Sequence, residues 1–355
     1  MQKAKLIVIL GPTASGKSDI AVSLAKKFNG EVVSADSRQV YKGMDIGTGK
    51  YLPKNSNFQF SVFNKEMSFY TISGIKIWGY DLVDPKEDFS VSQYINFAKK
   101  IITDIYSRGK IPIVVGGTGF YIKAIIDGIQ TADVPKNKSL RDKLEKKEAV
   151  ELFEILARID PIHAGSMNLS DKKNPRRLIR AIEIGEWNLD HKKDSKKSME
   201  VNQVSDIDGP FLFQTSIFNY PTLVLEVGLT ASKKELSKMI QRRVEERLDL
   251  GIEEEIKQLL GRGVKWSDQS MASLGYRQWR EYYEDRERDR DRDRNRDRDR
   301  ERDRIIEVWK KEEVKYASRQ MTWFNKDNRI IWFDIGKANW QKKVENVVKK
   351  WYSSS

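Results

Sequence analysis

Three groups of residues have the types and spacing to do chemistry. The first is Gly11-Pro12-Thr13-Ala14-Ser15-Gly16-Lys17-Ser18, which has the form of a phosphate-cradling loop. Its two glycines let backbone N–H groups of residues 13–18 turn toward phosphate oxygens. Lys17 supplies a point charge, and the Ser18 hydroxyl can hold Mg2+, the expected companion ion. A helix starting near Lys17 would add the positive end of its dipole. The second group is Asp36, inside the polar, glycine-punctuated stretch Ser34–Thr48. A carboxylate there is suited to general-base work or to a metal. The third is Gly116-Gly117-Thr118, a turn that ends in a hydroxyl.

The elements that must position these groups follow from apolar patterning. Leu6–Leu10 is a continuous apolar run directly before the loop, and 31–36, 111–117, 221–229 and 329–335 read as further buried strands. A helix is expected over 91–108. It opens at the capping-box pair Ser90 and Gln93, and Tyr94, Ile95, Ala98, Ile101, Ile102 and Ile105 recur at helical spacing. Strands alternating with helices imply an α/β fold, a parallel sheet covered on both faces. Ligands then bind at the carboxyl ends of the strands, where all three groups fall.

From residue 131 to 221 the chain becomes lysine-rich and helical, and reads as an insertion between a core of 1–130 and a return to that core over 222–355. In the last part, 233–262 reads as one long charged helix. Another helix over 305–324 carries Trp309, Tyr316, Trp323 and Phe324, expected to pack in the core. Between them, 284–304 alternates acid and arginine without an apolar residue. It is expected to be a solvated insert, disordered or loosely helical. Its ten arginines are balanced by ten acids, so it offers phosphate little net attraction.

Composition narrows the function classes. The net charge of +13 favours an anionic partner such as nucleic acid. There is no cysteine and only two histidines, which excludes a disulfide framework and a zinc site. No apolar run reaches membrane-spanning length. The first strand starts at once, with no room for a signal peptide, so a cytoplasmic protein without a membrane partner is expected.

The motifs GPTASGKS, ADSRQVYKGMDIGT and VGGTGFYIKA, taken in this order, resemble those of the tRNA dimethylallyltransferases of the bacterial type. The resemblance continues through NPRRL at 174–178, LGYRQ at 274–278 and RQMTWF at 319–324, and so spans nearly the whole chain. It implies a P-loop NTPase-like core with a helical tRNA-binding insertion, acting as a monomer. The substrates would be dimethylallyl diphosphate and tRNA, with the prenyl group passing to N6 of adenosine 37. Asp36 would accept the N6 proton and Thr118 would bond near that amine. Gly11, Thr13–Ser18 and Arg243 would hold the diphosphate, with Arg247 as second choice to Arg243. For tRNA the resemblance points to Asp36, Ser37, Arg38 and Gln39, to Thr118 and Arg141, and to Gly275, Tyr276 and Arg277. It also points to the basic cluster of Lys172, Lys173, Arg176, Arg177 and Arg180. The segment 51–80 is longer than in common bacterial examples. The alternative, a P-loop small-molecule kinase, shares the first motif and could use Asp36 to deprotonate an alcohol. It does not account for the second motif or the basic insertion.

Overall fold

The structure, a computed structural model, describes residues 4–53, 56–60, 67–129, 131, 134–191, 222–288 and 295–354. The chain divides into two compact units, residues 1–128 with 206–355, and residues 129–205.

The first unit is built on β1 (Ala4–Leu10), β2 (Gly30–Ser34), β3 (Asn57–Phe60), β4 (Ser68–Ile72), β5 (Ile75–Trp78), β6 (Ile111–Gly116), β7 (Thr222–Thr230) and β8 (Ile331–Asp334). They form one sheet in the order β3-β4-β5-β2-β6-β1-β7-β8. From β5 to β8 every neighbouring pair is parallel. Successive β1 side chains point to opposite faces and feed two cores. Leu6, Val8 and Leu10 join Ile101, Ile122 and Trp309, whereas Ile7 and Ile9 join Leu24, Val344 and Val348. Burial on both faces is why the strand reads as a continuous apolar run rather than an alternation.

Helix α1 (Lys17–Lys27) starts where expected, with Gly16 in the left-handed region at φ 76°. In α2 (Val91–Ser107) the Ser90–Gln93 capping box is formed and the six periodic apolar residues are all buried. The short α3 (Gly119–Ile126) leaves directly from Thr118. Two expectations are corrected. The apolar patterning predicts no strand over 57–72, yet β3 and β4 extend the sheet as an antiparallel pair beyond β5. Cross-strand packing supplies the reason: Phe58 sits edge-on to Tyr70 at 5.1 Å, and Phe69 lies 4.7 Å from Trp78.

The second unit holds α4 (Lys138–Leu144), α5 (Ala149–Ile159), α6 (Pro161–Ser166), α7 (Leu169–Lys172) and α8 (Pro175–His191) around Leu152, Leu156, Leu178 and Ile182. The remainder of the expected insertion, 192–221, lies outside the described residues.

The second correction concerns 233–262. It is two helices, α9 (Lys233–Asp249) and α10 (Ile252–Gly261), because Gly251 adopts φ 91° and turns the chain between them. Next come α11 (Arg280–Arg288), α12 (Asn295–Phe324) and α13 (Trp340–Ser353). Both α11 and α12 reach into the acid–arginine run, whose centre at 289–294 lies outside the described residues. On α12, Trp309 and Phe324 are buried as expected, while Trp323 is 44% exposed.

One core residue carries a testable liability. Glu226, on β7, is buried, and its Oε1 accepts no hydrogen bond among the described residues. Arg329 comes within 3.4 Å of it, but that guanidinium is already bonded by Asp127 and Asp327. Burial above all, then the charge of Asp327, pushes the Glu226 carboxyl up to about 8, with Arg329 opposing. The folded chain therefore keeps a proton that an unfolded carboxyl releases near its ordinary value. Native stability falls as pH rises from that value to about 8 and stays low above it. Glu226→Gln should raise the melting temperature at pH 9 by on the order of 3 °C or more and change it little at pH 5. Equal effects at the two pH values in a thermal melt would refute this.

Candidate active site

The carboxyl ends of β1, β2 and β6 open into a cleft of about 830 Å3. It is lined by loop residues 13–18, by Asp36–Gln39 and Thr118, by 45–51, and by side chains from α9 and α12. The glycines here are required by space. A Cβ on Gly11, whose φ is 145°, would sit 2.5 Å from the Leu229 carbonyl oxygen. One on Gly116 would press into the Ala35 carbonyl. Only bare backbone lets these strand ends come so close.

Within the phosphate loop, Ser15 Oγ donates to the Pro12 carbonyl at 2.8 Å, and Ala14 takes a positive φ of 63°. Lys17 Nζ bonds the same carbonyl at 2.6 Å. Burial, then the charge of Arg243, pushes the Lys17 ammonium down to about 7, with Asp36 opposing. Arg243 reaches from α9 to the Gly49 carbonyl at 3.0 Å and to Thr13 Oγ1 at 3.4 Å. Burial and neighbouring Arg247 lower it to about 10. Two cations so strained toward neutrality in one cleft mark a place for an anion. Arg247 differs from Arg243 in being held by Glu313 at 2.8 Å and lying over the Trp309 ring. That favours Arg243 as the cation available to a ligand.

The cleft lining also holds a carboxylate. Asp36 follows β2, and its Oδ1 accepts the Arg38 N–H at 2.9 Å, which fixes the carboxylate. Thr118 Oγ1 accepts the Ser37 N–H at 3.0 Å, so the turns after β2 and β6 are tied together. Gln39 is buried and structural, taking a bond from Ser34 Oγ and giving one to Gly49 O. Arg38 bonds the Gln269 carbonyl at 2.9 Å.

Other side chains in this region were not singled out from sequence. Glu255, on α10, accepts the N–H groups of Asp45, Ile46 and Gly47 and the Tyr276 hydroxyl, at 2.6–3.1 Å. Lys50 is buried and bonds Tyr41 O, Asp45 and Asp81. Gln320, on α12, accepts the Thr13 N–H at 2.9 Å and donates to Gly117 O at 2.8 Å. The Thr13 N–H is thus engaged by a side chain here, and residues 14–18 line the cleft beside it.

Some expected nucleotide contacts fall elsewhere. Tyr276 is fully buried on Glu255, and Gly275, at φ 90°, is buried against Trp309. Neither lines the cleft, whereas Ala272, Ser273, Leu274 and Arg277 do. Arg277 also pairs with Glu312 at 3.0 Å. In the second unit, Arg141 grips buried Glu183, and Arg180 bonds the Thr131 and Val134 carbonyls at 2.9 Å. Both are scaffold cations in this structure. Lys173 and Arg176 are exposed, and Arg177 is exposed beside Asp171.

For Mg2+ the donor set is sparse but coherent. No group of three or more acidic, histidine or cysteine side chains placed to hold a metal ion occurs among the described residues. The Ser18 hydroxyl lines the cleft at the start of α1. That suits an ion held mainly by substrate phosphate oxygens and water, with one protein hydroxyl.

The family model for IPP transferase matches residues 39–327, and that for isopentenyl transferase matches residues 4–61. The chain is 33% identical over 335 residues to the tRNA dimethylallyltransferase of Anoxybacillus flavithermus, covering 93% of this chain and 90% of that one. It is 34% identical over 355 residues to the enzyme of the same name from Carboxydothermus hydrogenoformans, covering 97% and 96%. Among solved structures, the tRNA isopentenylpyrophosphate transferase of Bacillus halodurans superposes with a TM-score of 0.61 at 29% identity, covering 98% and 97%. A eukaryotic dimethylallyltransferase acting on tRNA shares the fold, with a TM-score of 0.68 at 23% identity, covering 98% and 78%. With a phosphate loop and a fixed carboxylate facing one cleft, and with this match over most of its length, the chain belongs to the IPP transferase family.

Proposed function

We propose that the chain transfers a dimethylallyl group from dimethylallyl diphosphate to the exocyclic N6 of adenosine 37 in tRNA and releases diphosphate. One observation carries the reading: a cationic phosphate loop and the Asp36–Thr118 pair line a single cleft. A small-molecule kinase needs the first half of that cleft, but the family match runs through both.

The diphosphate lies on backbone N–H groups of residues 14–18, with Lys17 and Arg243 beside it. The target adenine leaves its stack to reach the cleft. The N6 lone pair attacks the allylic carbon as the carbon–oxygen bond breaks, and the electron pair of that bond leaves with the diphosphate. Asp36 takes the N6 proton, and Thr118, held through Ser37, orients the amine. Lys17 and Arg243 stabilise charge that grows on the leaving group, so their effect is largest in the transition state. Ser18 would help to hold Mg2+, which would supply further charge neutralisation at the leaving diphosphate. Exposed Lys173, Arg176 and Arg177 on and before α8 offer tRNA phosphates a basic surface. The enzyme works as a monomer in the cytoplasm.

The reading is tested by incubating the protein with tRNA, Mg2+ and labelled dimethylallyl diphosphate, followed by nucleoside mass analysis. Label should reach N6 of adenosine in tRNA without ATP. A strict need for ATP, or no labelled tRNA at all, would overturn it.

Asp36→Asn should lower single-turnover transfer by on the order of 10²–10⁴ while tRNA affinity stays within about threefold. Unchanged turnover would falsify the proton-acceptor role. Lys17 sets a pH signature. Free Lys17 loses its proton near pH 7, and bound diphosphate favours the charged form. Donor affinity should therefore fall as pH rises above about 7, with proton uptake on binding. Calorimetry in buffers of different ionisation enthalpy reads that uptake, which Lys17→Arg should remove. Equal uptake in the two proteins would exclude Lys17 as its source.

A further inference from the structure

β1 and β6 are hydrogen-bonded neighbours, with Leu10 opposite Gly116. Past that register the chains diverge into the phosphate loop and the Thr118 turn, which would carry the two reactants. Both stretches are rich in glycine, so neither fixes its own course. The side chain of Gln320 spans the gap. It is 6% exposed, and its amide accepts from Thr13 N at 2.9 Å and donates to Gly117 O at 2.8 Å. The bridge has its own space requirement. A Cβ on Gly117 would lie 2.2 Å from Gln320 Nε2. The rail behind it is α12, which also presents Glu313 to Arg247 and Tyr316 to the cleft at helical spacing.

We infer that Gln320 is a positioning residue that sets the distance between the diphosphate cradle and the proton-accepting wall. The inference rests on the transferase reading above. Gln320 acts on neither substrate. A rigid planar amide with one donor and one acceptor in use holds two glycine-bounded turns in one relation, and attack depends on that relation. Gln320 differs in this from Lys17 and Arg243, whose loss weakens the grip on diphosphate directly. An ionised Glu at this position offers only acceptors and faces the Gly117 carbonyl with a charge. A protonated Glu restores one donor and one acceptor in nearly the same shape.

The test compares wild type, Gln320→Glu, Gln320→Met, Gly117→Ala and the Gly117→Ala/Gln320→Met double variant, with dimethylallyl diphosphate and tRNA, first checking by thermal melt that each folds. Gln320→Met should lower kcat by on the order of 10–100-fold while both KM values move less than about threefold. Gly117→Ala, which displaces the amide, should do the same, and the double variant should lose little more than either alone. The kcat of Gln320→Glu relative to wild type should climb as pH falls from 8 to 5.5. If the glycine variant does not fold, the pH ratio and the Gln320→Met kinetics decide. Multiplicative losses in the double variant, a pH-independent Glu ratio, or a loss confined to donor KM would overturn the inference. Failure of wild type to prenylate tRNA would instead reject the reading on which it rests.

Discussion

Everything in the catalytic unit depends on how closely the carboxyl ends of the central strands approach. Gly11 lies against the Leu229 carbonyl and Gly116 against that of Ala35, with no room for a methyl group. At this spacing the turns after β1, β2 and β6 are neighbours. Groups from residues 17, 36 and 118 share one cleft although up to a hundred residues separate them. The parallel arrangement makes this possible, since all three strands deliver their chains at the same edge.

That crowding concentrates charge. Lys17 and Arg243 lose hydration in the cleft, and each has a cation beside it that makes it harder to protonate, Arg243 for Lys17 and Arg247 for Arg243. Glu313 and Asp36 oppose this only in part. Burying cations side by side costs the native state free energy, so the walls of the cleft need support from elsewhere. Glu255 gives that support on one side, pinning three successive N–H groups of the 45–47 turn, and α12 gives it on the other through Glu313 and Gln320.

The residues that meet in the cleft were legible in sequence because each sits in a short contiguous motif beside a strand end. The loop at 11–18, Asp36 and Thr118 lie where strand and turn signals place them. The supports were not legible. Glu255 meets the 45–47 turn across about two hundred residues of chain, and nothing in the charged pattern of α10 separates it from solvated neighbours such as Glu254. Tyr276 stands in a distinctive motif, and in the fold that motif serves packing: Gly47 must be glycine to lie against the Tyr276 ring. The antiparallel pair at 57–72 carries its stabilising contacts between strands, and no period along the chain reveals them. Gly251 breaks the 233–262 segment by its backbone angle alone, inside a charge pattern that continues through it.

The carboxylate of Glu255 has a consequence for the 45–47 turn. Three consecutive amides turned toward one point form a concave seat for an anion. A tethered anion from within the protein fills it. Without that carboxylate, three donors and the Tyr276 hydroxyl would lose their acceptor at once. The cleft wall that carries residues 45–47 is thus latched by one side chain from another helix, and its shape is as durable as that single latch.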